Sequence, residues 1–512
     1  MRRPSAFVVV VMIALLANSP ISFAQPGKPG PPPTPVAAPT TTPIKHVVVI
    51  FDENNSFDHY FGTYPNALPN TDGSVYFGPA DPGTPTINGL TPALIAHNPN
   101  LDPPFRLDRS NNVTCDNTNG YKAEQEAYDG GLLDKFVQET GCTDPVLGSA
   151  NVMGYYDGNT VTALWNYAQH YAMSDNFFGT EFGVTEEGHL NLVSGQTHGA
   201  SPNVPGKVVN GTVIANVDPI ADDCSVSPTV QMAAPNIGDL LNAKGVTWGW
   251  FYGDWPTTPT TTPLDPAQCA SEYNPHYTPF QYFASTANPH HLRPTSVATI
   301  GQTDAANHQY AISDLWAAIA NGNMPAVSFL KAPANETGHP SNSSPLAEQA
   351  FLVTTINMLE QSPDWKDTAI LITWDDSDGW YDHVLGPIVN QSNDPANDAL
   401  LGPTGLCGTA PMGGVADRCG YGPRLPFLVI SPFAKENFVA HTVADQTSIT
   451  RFIEDNWSLG QLGGGSFDAL AGSITNMFDF RDDHDHGHDG DRDFDRILIL
   501  DPDTGEPMGY AH

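Results

Sequence analysis

Apolar residues along this chain fall into two patterns. Short continuous runs occur at Val47-Val48-Val49-Ile50-Phe51 and at residues 246–252, 326–330, 369–374 and 425–430. Runs of this kind predict strands buried on both faces. Between them lie segments of helical period, and residues 346–359 form the clearest helix. Strands alternating with helices predict an α/β domain built on a largely parallel central sheet. Ligands of such sheets collect beyond the carboxyl ends of the strands. Two of the apolar runs are followed at once by polar clusters, Asp52-Glu53-Asn54-Asn55 and Asp375-Asp376-Ser377-Asp378.

Breaks in the pattern set the outer organisation. Met1-Arg2-Arg3, an apolar run over residues 6–17 and Ser22-Phe23-Ala24 read as a secretory signal over residues 1–24. Residues 25–43, rich in Pro, Gly and Thr, read as an extended linker before a catalytic domain at 44–480. Residues 256–266 and 402–422 read as surface loops. Residues 481–512 open with alternating His and Asp and are expected to be a solvated tail rather than a defined metal site. The protein is expected to be secreted or periplasmic, with no stable membrane anchor.

Charge narrows the choice of partner. The chain has 20 basic and 56 acidic residues, a net charge of -36. Such a surface has no surplus of cations to replace the counterions of a nucleic acid, so that partner is excluded. A small phosphate ester remains acceptable where a bound metal supplies local positive charge. The six cysteines suit an exported chain and have no zinc-ligand spacing. Pairing within each loop region predicts disulfides Cys115–Cys142, Cys224–Cys269 and Cys407–Cys419.

The two polar clusters carry the candidate chemistry. Carboxylates and an amide oxygen on the ends of rigid strands are what a hard divalent cation needs, which makes Glu53, Asn54, Asp375 and Asp376 the candidate ligands. Either cluster taken alone is equally a set of turn formers or helix caps. Hydrolysis of a phosphate ester also needs a nucleophile, and the residues alone do not single one out among the many Ser and Thr.

Longer stretches do. Residues 44–62, with Glu53-Asn54-Asn55-Ser56-Phe57-Asp58-His59-Tyr60-Phe61-Gly62, resemble the opening signature of the phosphoesterase family of bacterial phospholipases C and exported acid phosphatases, with Asn55 where Arg is common. Thr185-Glu186-Glu187-Gly188-His189, followed by Ser194-Gly195-Gln196, is similar to the family's nucleophile segment, and Asp375 to Val384 is similar to its carboxylate pair before Gly-aromatic-Tyr-Asp-His-Val. The resemblance implies a three-layer, alkaline-phosphatase-like fold and one divalent metal ion held by Glu53, Asn54, Asp375 and Asp376. It also implies Thr185 as the nucleophile. Gly338-His339-Pro340 is similar to the family's His-Pro, and the resemblance implies His339 as the general acid. His276 stands where phosphatase-like members have the first of two histidines, which makes it a further expected catalytic residue, with Tyr277 in the second place, and Asn119 stands where relatives often have His. Asn119, His189 and Tyr277 are the expected substrate contacts, and the substrate is a small phosphate ester or phospholipid head group. The alternative is a secreted binding protein that keeps the fold with weak or no turnover.

Overall fold

The computed structural model describes residues 38–226, 228–256, 269, 273–402, 405–408, 415–480 and 496–508. Eight strands form its main sheet: β1 (His46–Asp52), β2 (Ala172–Ser174), β3 (Trp248–Tyr252), β4 (Gln309–Ala311), β5 (Val327–Lys331), β6 (Thr368–Trp374), β7 (Phe427–Ile430) and β8 (Phe438–Ala440). Their spatial order is β4-β3-β5-β1-β6-β7-β2-β8. All five predicted runs are strands of this sheet. Pairings from β4 through to β6 are parallel, as is β2 with β8, whereas β7 runs antiparallel to both of its neighbours. The sheet is therefore largely parallel, as expected. Strands β2, β4 and β8 have three residues each, too few for an apolar run to reveal them.

The described helices include α1 (Phe57–Phe61), α2 (Tyr121–Tyr128), α3 (Thr162–His170), α4 (Thr185–Ser194), α5 (Ile237–Lys244), α6 (Ile312–Ala320), α7 (Pro345–Glu360) and α8 (Gln446–Trp457). Alternation along β1 and β6 sorts the helices against them into layers. Asp52 pairs with Trp374, and Trp374 Nε1 donates to Glu348 of α7 at 2.7 Å. Phe51 pairs with Thr373 on the opposite face, where its ring meets His189 of α4 edge-on at 4.9 Å. Helix α7 thus covers one face and α4 the other. All ten residues of α4 are buried, because α8 packs over it from outside. Such a helix needs no polar face, and its sequence has no clean stripe.

Some boundaries differ from the sequence reading. The linker is not free along its whole length: Thr41 N donates to Asn456 O at 2.8 Å and Thr42 Oγ1 to Asn456 Oδ1 at 2.7 Å, so residues 38–43 are tied to the end of α8. Residues 1–37, most of the 256–266 loop and residues 481–495 lie outside the described residues. The 402–422 stretch is not all surface, since Arg418, Cys419 and Tyr421 are buried. Gly420 passes so close to Thr180 that a Cβ would lie 2.2 Å from its carbonyl oxygen. Helix α2 ends at Tyr128, where Asp129 turns left-handed. Residues 496–508 dock on the domain, with Leu500 fully buried and its carbonyl accepting from Asn357 Nδ2 at 2.8 Å. The three disulfides pair as the spacing predicts. No described helix is long and apolar enough to cross a membrane.

Candidate active site

Strands β5, β1 and β6 are adjacent and parallel, so their carboxyl ends open on one edge of the sheet. Lys331 ends β5, Glu53 and Asn54 follow β1, and Asp375 and Asp376 follow β6. All five are buried. Backbone bonds clamp the two polar loops together: Asp375 N donates to Asp52 O at 3.1 Å and Asn55 N to Asp376 O at 3.0 Å. Asn54 takes a left-handed φ of 61°, a conformation asparagine tolerates better than most residues, and its N–H donates to Asp375 Oδ1 at 3.1 Å.

Helix α4 delivers Thr185 to this edge. Val184 is extended, and Thr185 is the first helical residue. The next turn is set by Gly188, which lies against β6 so tightly that a Cβ there would come within 2.1 Å of the Asp375 carbonyl oxygen. This close approach brings Thr185 Oγ1 to 3.5 Å from Asp376 Oδ2. The other Asp376 oxygen accepts from Asn119 Nδ2 at 3.2 Å and from Asp378 N at 2.6 Å. Glu124 of α2 joins the same two loops, accepting from Ser377 Oγ at 2.6 Å and from Gly183 N at 3.0 Å.

The electrostatics are those of a cation site. Glu53 Oε2, Asn54 Oδ1 and Asp375 Oδ2 are buried without a hydrogen-bond donor among the described residues. Burial, followed by the neighbouring Glu53, pushes the Asp375 carboxyl up to about 8. Burial and Asp375 likewise raise Asp376 well above the usual carboxylate range. Oxygens crowded and desolvated in this way fit a hard divalent ion, which would compensate them. Ligand atoms of Glu53, His189 and Asp375 also lie within 4.8 Å of one another. Two other acidic groups are already committed. Arg424 bonds both Asp58 and Asp382 beside His383, and Cys224, beside Asp222 and His291, belongs to a disulfide.

The histidines divide. His189 is fully buried, and its Nδ1 lies 2.8 Å from the Thr185 carbonyl, which can only accept, so the proton is on Nδ1 and Nε2 is bare. Burial and then Lys331 hold its pKa well below the ordinary histidine value. It stands under Thr185 rather than at the opening. Tyr277 stacks on it with ring centroids 6.0 Å apart. His276 is half-buried, with Nδ1 3.7 Å from both Glu186 Oε1 and Asp218 Oδ1. Burial works against its charge, but Glu186 and Asp218 outweigh it and raise the pKa. His339 is half-buried on the other side, grouped within 4.8 Å with Asp116 and Asp378. Its loop is tied to the end of β1 because Glu53 N donates to Thr337 O at 3.2 Å. Every expected site residue is therefore in or beside one edge of the sheet, with His189 and Tyr277 beneath it.

The sequence matches the Phosphoesterase family over residues 44–460. The chain belongs to that family. Non-hemolytic phospholipase C of Pseudomonas aeruginosa is 25% identical over 458 residues, covering 85% of this chain and 57% of that protein. Phospholipase C A of Mycobacterium tuberculosis is 25% identical over 462 residues, covering 86% of this chain and 78% of that protein. The chain thus spans less than two thirds of the Pseudomonas relative. Among solved structures, a protein in the alkaline phosphatase superfamily from Vibrio parahaemolyticus aligns with a TM-score of 0.32 at 10% identity, over 84% of this chain and 71% of that one.

The remaining residues of the phosphoesterase motifs hold the frame. Arg424, fully buried, donates to Asp58 Oδ1 at 3.0 Å and Asp382 Oδ2 at 3.1 Å, and Asp58 N donates to Asp382 Oδ2 at 3.1 Å. These bonds tie the stretch after Asn54 to the stretch after Asp376. Sequence reasoning missed Lys331 and Glu124. Lys331 had a signal, for it ends an apolar run at the same place relative to its strand as the two acidic clusters do. Glu124 had none, being one acid among many in a helix.

Proposed function

We propose that this chain is an exported, metal-dependent hydrolase of phosphate esters that works through Thr185. The observation that carries the reading is the meeting of a helix-terminal hydroxyl, 3.5 Å from Asp376, with unpartnered oxygens of Glu53, Asn54 and Asp375. A divalent ion held by Glu53, Asn54, Asp375 and Asp376 would supply positive charge against the phosphoryl oxygens. Thr185 Oγ1, beside Asp376 at 3.5 Å, loses its proton to water and attacks phosphorus. The bond from phosphorus to the leaving oxygen breaks, and His339 protonates that oxygen. Water then gives a proton back to His339 and attacks phosphorus, the bond to Thr185 breaks, Thr185 Oγ1 regains a proton from solvent, and phosphate or a phosphorylated head group leaves. The first amides of α4 point along the helix axis toward the anion. Asn119, already beside Asp376, would meet the phosphoryl group, whereas His276 has its ring nitrogens on Glu186, Asp218 and Asn274, and His189 orients Thr185 through its carbonyl. Three disulfides support an oxidising compartment.

Release of para-nitrophenol from its phosphate and from its phosphocholine ester, with and without chelator, tests the reaction and separates monoester from head-group cleavage. Thr185→Ala should lower turnover by several orders of magnitude while the protein still binds its ion. Acid quench during turnover should leave phosphate on the peptide containing Thr185. Near-parental rates in the alanine variant would make water the attacking group and end the reading.

A further inference from the structure

A buried lysine among metal ligands is unusual, and Lys331 is one. It is fully buried at the end of β5. Its Nζ makes an ion pair with Glu53 Oε1, lies 3.9 Å from Asp375 Oδ2 and donates to the Asp52 carbonyl at 3.4 Å. The rings of Tyr277 and Phe51 cover it, with centroids 4.8 and 5.8 Å from Nζ. Geometry therefore holds the ammonium on the ligand carboxylates and away from water. Glu53, Asp375 and Asp376 carry three negative charges when ionised, and one divalent ion leaves one of them uncompensated. A net charge buried in this way is expensive.

We propose that Lys331 is the fixed countercharge of the ligand cluster. With a divalent ion present, its ammonium balances the remaining carboxylate, so the loaded site is neutral toward an incoming phosphate. With the ion gone, it holds Glu53 and Asp375 together and keeps the empty site folded. It competes with the ion for Glu53 Oε1, and so weakens metal binding while strengthening anion binding. The proposal rests on the reading that these residues hold a divalent ion.

Three measurements on the full-length protein test it: melting temperature in chelator, calorimetric titration with Mn2+, Zn2+ and Ca2+, and inorganic phosphate binding to the loaded protein. Lys331→Met should melt lower than the parent in chelator, bind the preferred ion about tenfold more tightly or better, and bind phosphate about tenfold more weakly. Lys331→Arg should stay near the parent in metal affinity, because the charge is kept. A lysine that merely packs would lower the melting temperature equally with and without the ion and leave metal affinity unchanged. Unchanged or weaker metal binding by Lys331→Met overturns the proposal while leaving the metal reading intact. A parent that binds none of the ions overturns both. Should Lys331→Met not fold, Glu53→Gln with Lys331→Met removes both charges and should restore folding in chelator. A double variant that also fails to fold assigns Lys331 to packing and refutes the proposal.

Discussion

Replacing Gly188 by alanine adds one methyl group at the tightest contact between α4 and the sheet. The new carbon would stand 2.1 Å from the Asp375 carbonyl oxygen, 2.7 Å from its carbon and 2.9 Å from its Cα. Ordinary contact begins at 3.4 Å, so about 1.3 Å must be opened between two backbones, neither of which can yield by turning a side chain. Overpacking of this kind costs about 1–3 kcal/mol. Alanine returns about 1 kcal/mol through its better helix propensity, which leaves a net loss of about 0–2 kcal/mol. Activity is hit harder. Thr185 and Asp375 move apart by about 1 Å, and a displacement of that size costs about 100-fold in rate, or about 2.7 kcal/mol. The expected outcome is a folded protein, slightly less stable, whose kcat/KM on para-nitrophenyl phosphate at saturating metal falls about 100-fold. Gly78→Ala is the control, since nothing lies within 4 Å of its added carbon and both rate and stability should stay at the parent value. A kcat/KM for Gly188→Ala within about threefold of the parent would refute the claim that this contact sets the distance between nucleophile and ligands.

The same geometry sets the outcome of other perturbations. Asp375→Asn and Glu53→Gln should each lose the bound ion by metal analysis and nearly all turnover while keeping the far-ultraviolet dichroism of the parent; full metal occupancy in either removes that residue from the site. Thr185→Ser keeps the hydroxyl and should retain measurable activity where Thr185→Ala does not. In chelator, the melting temperature should fall as pH rises from about 6.5 to 8. Burial pushes Glu124 up to about 8 and Glu454 up to about 9 from the ordinary 4.5, so over this range the folded chain holds more protons than the unfolded one. Buried histidines with lowered values, His59 near 3 and His308 near 4, act in the opposite direction only below their ordinary 6.5. A melting temperature that climbs across that window would contradict the protonated state of these carboxyls.

The sequence by itself determined the local elements whose signal is local. Each continuous apolar run became a strand because a strand covered on both faces must be apolar at every position. The acidic clusters sat where parallel strands end, so the edge that holds the candidate site was legible from Glu53 and Asp375. Cysteine spacing predicted three disulfides, and the motif resemblance named Thr185 before any distance was known. Tertiary structure alone decided the rest. That β7 runs antiparallel depends on the path of the chain between distant residues, and a short apolar run reads the same in either direction. The tie between residues 41–42 and Asn456 joins points more than four hundred residues apart. Gly188 is an ordinary helical glycine until β6 lies against it, and Glu124 is an ordinary acid until Ser377 and Gly183 meet on its two oxygens. Lys331 becomes the partner of Glu53 only because β5 pairs with β1 in a register that sets Leu330 opposite Ile50. Such contacts join residues that periodicity and spacing treat as independent, and their energies depend on burial that exists only once the sheet is assembled.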